Sequence, residues 1–432
     1  MEIYKNTKVY IICPARTVTG GPELLHQLGA ALQKRRIQSY MYYLPEHTEN
    51  PVPERYRKYH VPYTETIEDT AENILIVPET YTTLLYGWQH IRRALWWMSV
   101  DNWLVDAVSV MKSNLYQEFR IPARPVFYFF HREDEKIQHL TQSEYANQLL
   151  QTNQVPQERI ASLTDYLNTV FLQECDHIDY SRKQDIIVYN PRKGKDFTDQ
   201  LIAAAPDLHW AAIENMTPEQ VQQLLAQAKV YIDFGTHPGK DRIPREAAIS
   251  GCCVLTDRRG AAKFFKDVPI AERYKFADTA EEIPAILTRI RQVMRDYATA
   301  IQDFADYRAE IRQQRQQFER EVDSVFIKTY SEPDRLRLAL WQETFHNTSV
   351  LEAARSMPEL DIRFLVQDQP TEDFLHSDRY KLDVITREEA IWQYQEGQID
   401  KVLLVAGSME EPRQFLIQQG VSLDDILSLS FP

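Results

Sequence analysis

The feature that most constrains this chain is a rhythm of short apolar runs, each followed by a segment of helical period. "KVYIICP" (8–14) passes through the glycine-bearing "TVTGGPE" (17–23) into "PELLHQLGAALQKRRI" (22–37), with Pro in its first turn and basic residues at its end, and then into "SYMYYLP". Runs without polar alternation are what strands covered on both faces of a parallel sheet require, and the intervening helix supplies the crossover. "NILIVPE" (73–79), "RALWWMSVDN" (93–102) and "PVFYFFH" (125–131) continue the pattern as further strands, predicting a first α/β domain over residues 1–180.

The pattern restarts with "DIIVYNPRKGKDFTDQLIAAAP", which reads as strand, basic loop and helix. "LHWAAIEN" (strand), "TPEQVQQLLAQA" (capped helix) and "KVYIDFG" (strand) follow. "DRIPREAAISGCCVLTDRRGA" (241–261) then reads as a slim helix opening after Pro244, with Glu246 in its first turn, and a strand "CCVLT". A short strand and a long helical tract complete a second domain at 181–328; the irregular apolar spacing of that tract favours packed helices over a coiled coil. A third α/β segment, 333–432, has "IRFLVQD", "KLDVIT", "DKVLLVAG" and "ILSLS" as strands and two helices ending in Gly. It lacks a Gly-x-Gly-x-x-Gly loop, so dinucleotide binding is not expected there. The chain stops directly after its last strand, as a module cut from a longer protein or one with a natural terminus there would. The expected fold class is α/β: two Rossmann-like domains facing a cleft, plus a small C-terminal α/β domain.

Charge and cysteine content narrow the function. Among 432 residues, 49 basic against 63 acidic side chains leave a net charge of −14, which argues against a general nucleic-acid binder. The four cysteines (Cys13, Cys175, Cys252, Cys253) form neither a disulfide framework nor a zinc spacing and read as reduced core residues in a cytoplasmic protein. The N-terminus has no signal-peptide organisation, and no apolar run approaches the roughly 18 residues of a membrane span.

Parallel sheets bind ligands beyond the carboxyl ends of their strands, so the loops there hold the candidates. Gly20 and Gly21 follow the first strand and lead into a helix, aiming backbone N–H groups at the cleft; alone they read equally as a tight turn. Arg192, Lys193 and Lys195 occupy the equivalent loop of the second domain, where a solvated loop is the plain alternative. Glycines on one wall and cations on the other suit a diphosphate. Glu246 near a helix N-terminus can accept hydrogen bonds from paired sugar hydroxyls, or serve only as a charge favourable to the helix dipole. Asp101 and His131 stand at the ends of their apolar runs, as cleft residues or as ordinary strand-end polar groups; if the cleft belongs to a sugar-transferring fold, they lie where an acceptor or donor sugar would reach and either could act as a base. Tyr81, Tyr86, Trp88, Trp96, Trp97 and Trp103 crowd the same domain; most read as core, with one or two left to touch an acceptor sugar.

The order "GGPELLHQLGAALQKRRI", "QHLTQSEYANQLL", "YNPRKGKDFTDQLIAAAPDL" and "GTHPGKDRIPREAAISGCCVLTDRRGA" resembles the GT-B glycosyltransferases, especially the retaining, nucleotide-sugar-dependent group (family 4-like), over residues 8–325. The resemblance implies that Gly20 and Gly21 approach the donor phosphates while Glu23 orients the first helix, and that Arg192, Lys193 and Lys195 neutralise the pyrophosphate. It makes Glu246 the second glutamate of the family's pair, on the nucleotide ribose. The first should stand eight residues earlier, where this chain has Pro238, so its role at the donor sugar is unfilled or passes to His237 or Asp241. The expected activity is transfer of a hexosyl unit from a nucleotide-sugar donor to a glycan or lipid-linked glycan acceptor in bacterial surface polysaccharide (capsule or O-antigen) biosynthesis. It would occur in the cytoplasm, and contact with the inner membrane face or a glycan-assembly complex is compatible with it. No cofactor and no metal are expected, since the cleft loops carry no Asp-x-Asp motif. The alternatives are a catalytically degenerate scaffold or binding protein on this fold, and a nucleotide-sugar epimerase. The C-terminal segment weakly resembles the small Rossmann-like modules attached to sugar-modifying proteins.

Overall fold

Four of the apolar runs become strands in the first half of the chain, β2 (Lys8–Pro14), β3 (Gln38–Leu44), β4 (Ile74–Pro78) and β5 (Arg92–Trp97), and three short strands not expected from sequence join them: β1 (Glu2–Ile3), β6 (Gln138–Thr141) and β7 (Ile160–Ser162). The computed structural model describes residues 1–116, 128–130, 136–328, 336–342, 349–355, 357, 360–368, 382–406 and 410–430. Strands β2 to β7 form a parallel sheet in the order β3-β2-β4-β5-β6-β7. Along β2, Val9, Ile11 and Cys13 pack into one core with Leu24, Leu25, Leu28 and Leu32 of α1 (Gly20–Lys34), while Tyr10 and Ile12 enter a second core on the other face. That double burial is why the run shows no polar alternation.

The structure corrects the expected elements here. The run 93–102 splits: β5 ends at Trp97, and Asp101 lies in the first turn of helix α2 (Val100–Tyr116), not at a strand end. Residues 128–130 of the expected strand 125–131 lie in no strand, and β6 pairs with β5 instead. Helices α3 (Glu144–Thr152) and α4 (Thr169–Glu174) complete this half.

The second half is a four-stranded parallel sheet, β11-β10-β8-β9, built from β8 (Gln184–Tyr189), β9 (His209–Ala212), β10 (Ala228–Asp233) and β11 (Cys253–Thr256). Between and after them run α5 (Lys195–Ala204), α6 (Pro218–Gln227), α7 (Arg242–Ile249), α8 (Ile283–Arg295), α9 (Tyr297–Ala300) and α10 (Ala305–Val325). The capping box that the sequence shows at Thr217 and Gln220 is formed on α6. Helix α7 opens at Arg242, with Asp241 in the N-cap position, so Pro244 sits inside the first turn and Glu246 in the second.

Helix α10 joins the halves. Tyr307 and Ile311 at its start belong to the second core; Phe318, Val322 and Val325 at its end belong to the first, and β12 (Ile327–Lys328) pairs with β1. Residues 1–328 accordingly form one unit. At the junction, buried Arg245 donates to the equally buried Asp165 (2.7 Å) and to Gln314 of α10 (3.0 Å). Arg242 pairs with Glu23 of α1 and stands 3.7 Å from Asp165. Burial alone would push the Asp165 carboxyl up, but Arg245 and Arg242 hold it below its ordinary range.

Residues 329–432 form the second unit, a parallel sheet in the order β15-β14-β13-β16-β17. Its strands are β13 (Leu336–Gln342), β14 (Leu360–Val366), β15 (Asp383–Ile385), β16 (Lys401–Ala406) and β17 (Ile426–Ser430), and its helices α11 (Ser349–Arg355), α12 (Arg387–Gln395) and α13 (Glu410–Gln418). The central strand β13 is absent from the sequence reading, which assigned only the other four strands of the sheet; Arg337, paired with Asp400 at 2.5 Å, breaks its apolar run. Gly397 and Gly420, at φ +66° and +90°, end α12 and α13 as the sequence predicts.

Replacing Arg245 by Ala leaves Asp165 buried with its closest cation gone. The variant is expected to lose about 3–5 kcal/mol of unfolding free energy, read as a lowered urea midpoint at neutral pH; an unchanged midpoint would show the junction does not depend on this pair.

Candidate functional site

Each of the two larger sheets of the first unit has a point where the chain reverses its direction of growth. In the first it lies between β2 and β4; in the second, between β8 and β10. Loops leaving adjacent strands there part and open a crevice beyond the strand ends. The two crevices form one cleft of about 750 Å³, within the range of small-molecule sites. One wall carries Gly20, Gly21, Glu23, Glu79 and Asn102; the other carries Arg192, Lys193, Asp241, Arg242 and Glu246.

Gly20 and Gly21 form the first turn of α1 itself, so their N–H groups are among the orphan donors of a helix start. A Cβ on either would meet nothing nearer than 3.5 Å, so the protein's own packing does not demand glycine here. What glycine provides is bare backbone facing the cleft. Glu23 is withdrawn from ligand duty: almost wholly buried, it accepts from Tyr59 (2.8 Å) and Asn168 (3.3 Å) besides Arg242. It does orient α1, by tying it to α7 of the other half.

On the facing wall, Lys193 pairs with Asp241 at 2.8 Å. Arg192 is exposed, and no ion pair to its guanidinium is found among the described residues, which leaves its charge for an anionic ligand. Lys195 points elsewhere: it pairs with Asp199 (2.6 Å) on the exposed side of α5 and does not line the cleft. Gly194, at φ +56°, caps α5 where a Cβ would run into the Phe234 carbonyl, which brings the basic loop hard against the end of β10. Glu246 lines the cleft; burial pushes its carboxyl up and outweighs the nearby Arg242 and Arg245.

His237 lies behind the wall, 1% exposed. Its Nδ1 is 3.1 Å from Asp241, and its Nε2 is 3.5 Å from Asp257 and 3.9 Å from Asp233. Burial would lower its pKa, but the Asp241 hydrogen bond and the charges of Asp233, Asp241 and Asp257 raise it to about 9. Lys193 on Asp241 and Arg259 on Asp257 (2.8 Å) complete three cations against three carboxylates. Asp233, His237 and Asp241 could each offer one metal-ligand atom within 4.8 Å of the others. A metal there would need the neutral imidazole and would compete with Lys193 for Asp241.

No protein-family model matches the chain, and no curated protein matches it. Solved structures similar to it include HepE from Anabaena in complex with UDP-glucose (9% identity, 74% of this chain and 98% of that one, TM-score 0.48). Sucrose-phosphate synthase from Thermosynechococcus elongatus (12%, 74% and 100%, 0.48) is another. A third is WaaG, a glycosyltransferase involved in lipopolysaccharide biosynthesis (13%, 74% and 99%, 0.45).

Of the sequence candidates, Gly20, Gly21, Arg192, Lys193, Asp241 and Glu246 meet in the cleft, and His237 supports it from behind. Asp101 does not line it; its carboxylate accepts from Tyr145 (2.9 Å) between α2 and α3. His131 lies outside the described residues. None of the six singled-out aromatic residues lines the cleft: Trp96, Trp97 and Trp103 are core, and Tyr81, Tyr86 and Trp88 pack against it. The sequence reading missed Glu79, which ends the run "NILIVPE" directly after β4, at the reversal point of the first sheet. A carboxylate in that position was the available signal.

The His237 cluster gives a pH signature. Because the folded pKa is raised, the cluster's stabilisation is complete below the ordinary histidine value and is lost as pH climbs through about 9. Relative to His237→Gln, the wild type is expected to lose about 3 kcal/mol of its advantage between slightly acidic and strongly alkaline conditions in chemical denaturation. A difference that is flat with pH would mean the imidazole is neutral.

Proposed function

We propose that this protein is a glycosyltransferase that moves a sugar from a nucleotide-sugar donor to a hydroxyl-bearing glycan or glycoconjugate acceptor. The observation that carries the reading is the pair of facing crevices, with Arg192, Lys193 and the N-termini of α1 and α7 around one cavity. Cleaving a sugar–phosphate bond builds positive charge on the sugar carbon and negative charge on the leaving diphosphate. Fixed cations and amide dipoles aimed at the diphosphate stabilise that developing charge, more than they stabilise the bound donor. In this reading Glu246, which lines the cavity, accepts from the ribose hydroxyls. Ile213, Met216, Pro218 and Val221 of the second half, with Phe171 of α4, give the cavity an apolar wall on which a planar base can lie. A role in bacterial surface polysaccharide assembly fits this chemistry as the finer form of the reading. No described helix is long and apolar enough to cross a membrane.

The testing experiment is a thermal-shift screen of UDP, GDP, ADP, CDP and dTDP on the wild type and on Glu246→Ala, followed by assay of the matching nucleotide sugars. One nucleotide at about 100 times its Kd is expected to stabilise the wild type by about 2.7 kcal/mol, with the shift largely lost in the variant. If no nucleoside diphosphate shifts the wild type, the cleft does not bind a nucleotide sugar and the reading falls.

A further inference from the structure

Beyond the carboxyl ends of β6 and β7 lies a second cavity of about 370 Å³, within the range of small-molecule sites. Its other walls are the segment 265–269 and the face of α10 that carries Glu310, Gln317 and Glu321. Gln142 and Lys240 line both this cavity and the cleft and so form the partition between them. Most carboxylates here are spent inside the protein. Asp267 caps α3 with both oxygens (2.7 and 3.0 Å). Glu321 accepts from the Thr164 N–H and hydroxyl (both 2.7 Å) and from Gln317 (2.9 Å). Glu144 accepts from Lys266, Asn147 and Gln148.

Lys240 is the exception. Its side chain, 6% exposed, runs from the loop before α7 to α10, where its Nζ meets Glu310 Oε1 at 3.3 Å. That is one hydrogen bond for an ammonium with three donors, and no other partner is found among the described residues. Buried polar groups are normally satisfied, so the remaining N–H groups of a lysine that lines the cavity call for acceptors within it. Glu310 Oε2, the Gln317 side-chain carbonyl and the Ser162 hydroxyl stand on the same walls, also without a partner among the described residues. Phe265, 66% exposed, adds an aromatic ring at the rim.

These groups select a ligand by their chemistry. Four carboxylates against two lysines disfavour an anion. A metal ion or a polyamine would find three of the four carboxylates already holding hydrogen bonds, and the fourth, Glu310, beside an ammonium. Free donors on Lys240 with free acceptors on Glu310 and Gln317 suit a neutral molecule whose groups both accept and donate, as sugar hydroxyls do. The apolar face of a sugar ring can lie on Phe265. We propose that this cavity is a saccharide-binding site, separate from the cleft, in which Lys240 donates to and Glu310 accepts from the hydroxyls of one neutral sugar unit. The assignment stands apart from the glycosyl-transfer reading of the cleft, since it requires binding and no turnover.

The test is calorimetric titration of the full chain with glucose, galactose and N-acetylglucosamine, and with spermidine and inorganic phosphate as the cationic and anionic counterparts. At least one sugar is expected to bind. Its affinity should fall about tenfold in Glu310→Ala and about threefold in Phe265→Ala, and stay unchanged in Glu246→Ala, which alters only the cleft. Phe265 is exposed, so its variant keeps the wild-type urea midpoint and decides the matter if Glu310→Ala does not fold. Binding of none of the three sugars overturns the proposal. So does binding that both cavity variants leave within about twofold of the wild type, or that only Glu246→Ala abolishes. If spermidine or phosphate binds in place of the sugars and responds to Glu310→Ala, the cavity takes a charged ligand and the proposal falls.

Discussion

The structure depends on two arginines from one helix reaching two buried carboxylates of the other half. Arg242 and Arg245, in the first turns of α7, engage Glu23 of α1 and Asp165 beyond β7. Removing four charges from water is expensive, and only close pairing with further hydrogen bonds offsets it. Gln314, Tyr59 and Asn168 supply those bonds. The interlock fixes where the start of α7 meets the start of α1, so both helix N-termini open onto the same space.

Contacts around it make the fit close. The Val100 N–H donates to the Pro238 carbonyl at 2.7 Å, and a Cβ at Gly239 would collide with the Met98 carbonyl. Asp267 of the second half accepts from the Glu144 and Tyr145 N–H groups (2.7 and 3.0 Å), capping α3 of the first. The segment 98–100 is thus pressed between the 238–239 loop and Glu79, whose carboxylate holds its backbone. Carboxylates facing arginines stabilise the junction, whereas no cation pairs with Glu79 among the described residues and burial raises its carboxyl.

Much of the fold was legible because it is written locally. Strands buried on both faces show as unbroken apolar runs, and Thr217, Gln220, Gly397 and Gly420 mark helix ends by side-chain and backbone geometry that needs no distant partner. Reading failed where the local signal was diluted. Arg337 interrupts β13 and finds its countercharge in Asp400, sixty-three residues on. The apolar run 93–102 continues past the end of β5 because Val100 and Trp103 of α2 are buried in the same core as Trp97. The expectation that most of the crowded aromatic residues are core holds for Trp96 and Trp97, which are fully buried and donate to Leu163 and His139; none is left on the cleft for a sugar.

By itself the sequence determined that this chain forms tandem parallel α/β sheets, and which loops follow their strands, because both depend on short-range periodicity and chain order. It placed Gly20, Gly21, Arg192, Lys193 and Glu246 at strand or helix ends, and the cleft brings these together. Only the tertiary structure decided which charges are spent within the protein and which remain for a ligand. Glu23 and Arg242 are 219 residues apart in the chain, as His237 and Asp257 are 20 apart, and pairing over such separations leaves no local trace. The burial that raises Glu79 is likewise the summed effect of β4, α2 and the loop pressed over them, and no single stretch of sequence records it.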